Sequence, residues 1–185
     1  MGQSSIVHDF QERLSWSEKA SDEPFWEAVY NKAFPNLVSH VACPGDVLSQ
    51  RMGIDRVLVL ANGRTLYVDE KKRSKDYGDV ILEYISVDTN NTPGWMNKDL
   101  AIDYLAYAII PEMRCYLFPW HLLRRVWLHF GREWIALGER GADGFRIVRA
   151  RNRNYNTLSV AVPTELLQRQ LRRATVIDVS AELAG

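Results

Sequence analysis

Large apolar residues recur at helical spacing through the stretch SDEPFWEAVYNKAF, with Phe25, Val29 and Ala33 on one stripe. Ser21 or Asp22 can cap this helix, Pro24 suits its first turn and Pro35 ends it. Residues 4–20 are polar around Phe10, Leu14 and Trp16, which fits an amphipathic helix or a loose arm. Residues 43–53, CPGDVLSQRMG, read as a loop. The pattern then changes to strand-like runs, Asp55 to Leu60 and Thr65 to Lys71, joined at Asn62-Gly63, a turn signal for an antiparallel hairpin. GDVILEYIS is a third strand, and NNTPGW a loop. DYLAYAII and RCYLFP flank PEM as two more strands. WHLLRRVWLHF carries its apolar residues on one face and predicts a helix. GFRIVRARNRN and TLSVAVP are strands around a polar turn, and TELLQRQLRRA is a short helix with Thr164 at its start. The order of elements predicts an α/β class chain (α+β, mixed sheet) with helices against a central sheet. One domain over residues 1–185 is expected.

The chain of 185 residues has 46% hydrophobic and 25% charged residues, an ordinary globular balance. With 23 basic and 23 acidic residues, net charge announces no polyanionic partner. The distribution is uneven, however: seven Arg and the single acid Glu165 lie between Phe145 and Arg173. Cys43 and Cys115 match no metal-ligand spacing, so free thiols in a reducing compartment are expected. No apolar run has the length of a membrane span, and the N-terminus shows no signal-peptide core. MGQSSI departs from a myristoylation signal at Ile6. A cytoplasmic location without membrane association is the expectation.

The stretch RTLYVDEKKR raises a chemical question, because it sets two acids and three bases at the end of an apolar strand. In an antiparallel hairpin the start of one strand lies beside the end of the next, so Asp55 should neighbour the Asp69/Glu70 pair. Converging carboxylates repel unless a cation sits between them, and Mg²⁺ favours such hard oxygen ligands. A lysine two positions beyond an acid shares its face of the strand and can steady charge on a phosphate. Two registers are possible, Asp69 with Lys71 or Glu70 with Lys72. Leu66 and Val68 make the better core pair, which favours Asp69 and Lys71.

GID followed by VDEKK resembles the PD-(D/E)xK nuclease superfamily, with restriction-endonuclease-like and resolvase-like members. Asp55 matches the first acid, and Asp69-x-Lys71 or Glu70-x-Lys72 the second half. The longer pattern DEKKRSKDYGDVILEYIS, PGW, DYLAYAII and RCYLFPW is similar to phage and bacterial proteins of this type. The resemblance spans roughly residues 22–130, leaving 131–185 as a C-terminal extension. Gly53-Ile54 stands where a Pro commonly precedes the first acid, and the residue between acid and lysine is charged. The resemblance implies a restriction-endonuclease-like core and a metal-dependent DNA endonuclease that hydrolyses phosphodiester bonds. It further implies Mg²⁺ (or Mn²⁺) at Asp55, Asp69 and Glu70, DNA as partner, and a homodimer as in many such nucleases. A nucleic-acid-binding protein on the same fold, with weak or lost catalysis, is the alternative.

Glu27 on the first helix and Glu83 on the third strand are further candidates for the metal site. Arg149, Arg151 and Arg153 alternate along a strand and its turn beside Tyr155, which suits contacts to a nucleic-acid backbone. His8, His40, His121 and His129 show no metal or HNH-like spacing, and His121 and His129 are expected to flank packing contacts. Trp95, Trp120, Trp127 and Trp134 are assigned to the core. No Gly-rich phosphate loop is present, which argues against an ATP-driven motor.

Overall fold

The computed structural model describes residues 22–172, 175–181 and 183; the expectations for residues 4–20 and for His8 lie outside them. Helix α1 (Glu23–Ala33) begins at Asp22 with Pro24 in its first turn and buries Phe25, Trp26, Val29 and Tyr30. Strand β1 (Leu37–Ala42) follows, then a short helix α2 (Val47–Met52) inside the segment read as a loop. Asp46 caps α2 by accepting from the Ser49 N–H, a local signal of the ordinary kind. Gly53 ends it at φ 75°, in the left-handed region that glycine enters without a Cβ penalty.

The hairpin of β2 (Arg56–Leu60) and β3 (Thr65–Arg73) is antiparallel, as the Asn-Gly signal predicts. β4 (Asp79–Val87), the two-residue β5 (Thr92–Pro93) and a 3₁₀ turn at Trp95–Asn97 come next. β6 (Tyr104–Ile109) and β7 (Arg114–Pro119) form a second hairpin. The long helix α3 (Trp120–Arg140) precedes the hairpin of β8 (Arg146–Arg151) and β9 (Asn156–Pro163), then α4 (Thr164–Leu171) and β10 (Thr175–Asp178).

This is the expected α+β fold with a mixed sheet and helices, and a second, smaller sheet accompanies the larger one. The larger has the order β1-β2-β3-β6-β7-β10, parallel only between β3 and β6; the smaller has the order β5-β4-β9-β8. A parallel pair needs a long crossover. Residues 74–103 supply it, and β4, carried in that crossover, founds the second sheet instead of extending the first. The elements that follow α3 (β8, β9, α4 and β10) are therefore woven into the molecule. β9 pairs along β4, and β10 closes the free edge of β7.

Alternate residues of β6 show how the layers stack. Leu105, Tyr107 and Ile109 belong to a core with Val80, Leu82, Val160, Trp127, Trp134 and Leu167, between the large sheet and the small sheet with α3 and α4. Ala106 and Ala108 belong to another core, where α1 covers Leu58, Leu66, Val68 and Leu117 on the reverse face. Trp120, Trp127 and Trp134 are buried as expected, and Trp95 is partly buried. Cys43 and Cys115 are free thiols. Among the described residues no helix is long and apolar enough to cross a membrane.

Candidate acidic site on the central hairpin

The ladder pairs Arg56 with Val68, and one residue earlier the Asp55 N–H donates to the Val68 carbonyl at 2.9 Å, which brings the Asp55 carboxyl beside that of Asp69. Gly53 stops α2 just before this point, and buried Ile54 anchors the approach. The Asp55 carboxylate is fastened in turn, its Oδ2 accepting from the Glu70 N–H at 2.8 Å. Strand alternation then sorts β3. Asp69 and Lys71 face the side of Asp55; Leu66, Val68, Glu70 and Lys72 face α1.

Asp69 is only 2% exposed. Burial raises its carboxyl from the ordinary 3.8 to about 7; Lys71 opposes that rise and the adjoining Asp55 carboxyl, within hydrogen-bonding reach, reinforces it. Lys71 Nζ is ion-paired with Asp69 Oδ1 and keeps about a third of its side chain in solvent, at 34% exposure. Burial would discharge this ammonium, but Asp69 and Asp55 outweigh it and hold Lys71 above its usual range. Glu83 of β4 adds a third acid to the surroundings of Lys71. Burial raises the Glu83 carboxyl against the attraction of Lys98 and Lys71, and the Trp95 N–H donates to it. The close approach that makes this contact possible belongs to Gly94, where a Cβ would lie 2.5 Å from the Glu83 carbonyl oxygen. Thus the PGW segment braces Glu83.

Glu70, read as a third metal ligand, is not brought to this group, and neither is Lys72. Glu70 Oε1 accepts from Tyr30 Oη at 2.8 Å and from Arg56 Nε at 2.6 Å on the reverse face. Lys72 Nζ pairs with Asp22 at 2.8 Å. The reason is the two-residue period of a strand, which a one-residue slip would invert. Glu27 is also remote, exposed on α1, which packs on that reverse face. Sequence reading missed Arg56, which is 2% exposed and clasps Glu23 through Nη1 at 2.7 Å and Nη2 at 2.9 Å. A charged residue opening an apolar strand was the available signal.

Arg149 and Arg151 are exposed on β8, an edge strand of the small sheet, and Arg153 is exposed in the turn that follows. Among the described residues no hydrogen bond or ion pair joins them to the acidic pair.

Among the described residues no group of three or more His, Cys, Asp or Glu side chains is placed to hold a metal ion. The Asp55/Asp69 pair nonetheless fits a hard cation. Mg²⁺ is commonly bound through one or two carboxylates with water and substrate phosphates completing its shell. Two apposed acids, one nearly sealed from solvent, also carry a repulsion that such a charge would relieve. No family model matches this chain, and no curated protein or solved structure matches it either.

Proposed function

We propose that the chain is a cytoplasmic, metal-dependent endonuclease that hydrolyses phosphodiester bonds in DNA, of the PD-(D/E)xK type that its motif resembles. One observation carries this reading: Asp55, Asp69 and Lys71 share one face at the mouth of the β2–β3 hairpin, with Glu83 beside them. Asp55 and Asp69 would hold Mg²⁺ (or Mn²⁺), and the bound cation would neutralise charge on the phosphoryl oxygens. Asp69 must give up its proton to act as a ligand. Lys71, partly in solvent, would turn from Asp69 toward the scissile phosphate and stabilise the negative charge that builds there. The backbone N–H of Glu70 keeps the Asp55 carboxylate aimed at the shared point.

The test is cleavage of duplex, single-stranded and branched DNA with Mg²⁺ or Mn²⁺, beside calorimetric titration of either metal. Wild type should cleave at least one substrate, and both Asp55→Ala and Asp69→Asn should lose metal binding and cleavage together. Metal-independent behaviour on every substrate would instead leave a nucleic-acid-binding protein on this fold. That second reading has its own support in the closed Asp69–Lys71 ion pair, which satisfies the acid without a metal ion.

A further inference from the structure

Helix α3 carries two adjacent stripes near its start. His121, Arg125 and His129 recur every four residues, and Leu122, Val126 and Phe130 recur beside them. All six line one cavity of about 940 Å³, whose other walls are Tyr104, Pro119 and the end of α4 from Gln170 to Arg172. His121 and His129 flank the packed residues Leu122 and Phe130, as the sequence suggests; both are exposed at the cavity rim, and His129 sets its ring edge-on to Phe130 at 4.4 Å.

The lining has a one-sided charge. It holds two arginines and two histidines, and among the described residues no Asp or Glu lines it. Among the described residues neither Arg125 nor Arg172 has an ion pair or hydrogen bond with another side chain, whereas Arg56, Arg73, Arg114 and Arg146 each have a carboxylate. Two uncompensated guanidiniums around a concavity select an anion, and their planar donors suit phosphate. The floor differs in kind. Leu122, Val126 and Phe130 are half-buried and Phe130 stacks on Trp134, so the floor presents a rigid apolar surface with an aromatic ring. The groove is open, since five of its lining residues, His121, Arg125, His129, Gln170 and Arg172, are exposed. An enclosed apolar tunnel would suit an acyl chain; an open groove with a cationic rim suits a planar ring that carries a phosphate. Its volume lies at the upper end of the range for small-molecule sites, roughly 300–1,000 Å³.

We infer that the groove between α3 and the end of α4 binds a nucleotide, either free or as part of a single nucleic-acid strand. Arg125 and Arg172 take the phosphate, the Phe130 side of the floor takes the base, and Gln170 offers an amide to the base edge. The site is separate from the acidic hairpin and needs no metal, so it does not rest on the nuclease reading.

The experiment is calorimetric titration in EDTA with three probes: thymidine 5′-monophosphate, a 5′-phosphorylated tetrathymidylate and inorganic phosphate. The variant is Arg125→Ala combined with Arg172→Asn, the asparagine being chosen because Arg172 sits at φ 54°. Arg140→Ala, exposed at the far end of α3, controls for net charge. Wild type and the Arg140 variant should bind the tetramer alike, and the double variant should bind it at least tenfold more weakly. Its log–log salt slope should fall by about 1.4, at about 0.7 per lost phosphate contact on a single strand. Equal affinity for monophosphate and tetramer assigns the groove to a free nucleotide, and a clear preference for the tetramer assigns it to a strand. The inference is overturned if no probe binds, if the folded double variant binds like wild type, or if inorganic phosphate binds as well as the nucleotide.

Discussion

Arg56 Nε donates to Glu70 Oε1 at 2.6 Å across the β2–β3 hairpin, on the face opposite Asp55 and Asp69. Each partner of this pair immediately follows one of the acids, so the buried ion pair locks the register that apposes them. Tyr30, Glu23 and His40 complete the network, with His40 Nδ1 3.0 Å from Arg56 Nη1. Breaking a buried pair from one side leaves the other charge uncompensated. Arg56→Ala should therefore destabilise the protein by about 3–5 kcal/mol. Urea denaturation checks this; a loss under about 1 kcal/mol would mean that water or relaxation rescues Glu70.

The second prediction concerns pH. Asp69 titrates near 7 in the folded protein against an ordinary 3.8, because it is buried beside Asp55. A raised acid binds more protons folded than unfolded, so its contribution to stability is full below about pH 4 and declines as pH rises to about 7. Asp69→Asn should remove that decline, so the difference in melting temperature should shift in the variant's favour between pH 5 and pH 8. Parallel curves for both proteins would show that Asp69 titrates normally.

A third prediction separates two neighbouring lysines. Lys71 lies on the acidic face and Lys72 on the α1 face with Asp22. If the nuclease reading holds, Lys71→Ala should lose about 10²–10³ in kcat, the usual effect of deleting a positioned charge-stabilising group. Lys72→Ala should cleave nearly as wild type. Single-turnover cleavage of both variants, with circular dichroism as a folding check, decides it; the reverse ranking would place the chemistry on the other face.

Gly94 gives a fourth test. Its φ of −70° is open to any residue, so glycine is required by clearance alone. A Cβ would meet the backbone of Glu83, at 2.5 Å from its oxygen and 2.6 Å from its carbon. Gly94→Ala should cost about 1–3 kcal/mol, the range for overpacking. Thermal unfolding reads the loss, and an unchanged midpoint would show that the β4–β5 contact yields freely.

The fifth prediction concerns the exposed arginines of β8 and its turn. Replacing Arg149, Arg151 and Arg153 with Ala should weaken duplex binding and flatten its log–log salt slope by up to about 0.9 per lost phosphate contact. Fluorescence anisotropy at several salt concentrations measures it. Unchanged affinity at each of them would assign these residues to an ordinary solvated edge.

Much of the candidate site was legible in the chain because its signals are local. Asn62-Gly63 specifies a tight turn, and a hairpin of known turn places Asp55 beside Asp69. Leu66 and Val68 identify the buried face, and the period of two then puts Asp69 and Lys71 on the other. The helices α1 and α3 were readable for the same reason, their buried residues recurring at 3–4 positions.

What lay beyond the sequence depends on which strand pairs with which. GDVILEYIS has the same alternation whether it extends the first sheet or begins a second, and only packing against β9 and α3 decides between them. That choice carries Glu83 to Lys71, and it draws β9 and α4 into the core. The Arg56–Glu70 clasp also escapes a linear reading, because its partners on α1 are 33 and 40 residues from the strands they brace. The residues that would do chemistry are set by short-range geometry; the charges and contacts that tune them come from long-range packing, where burial and desolvation act on residues that the chain keeps far apart.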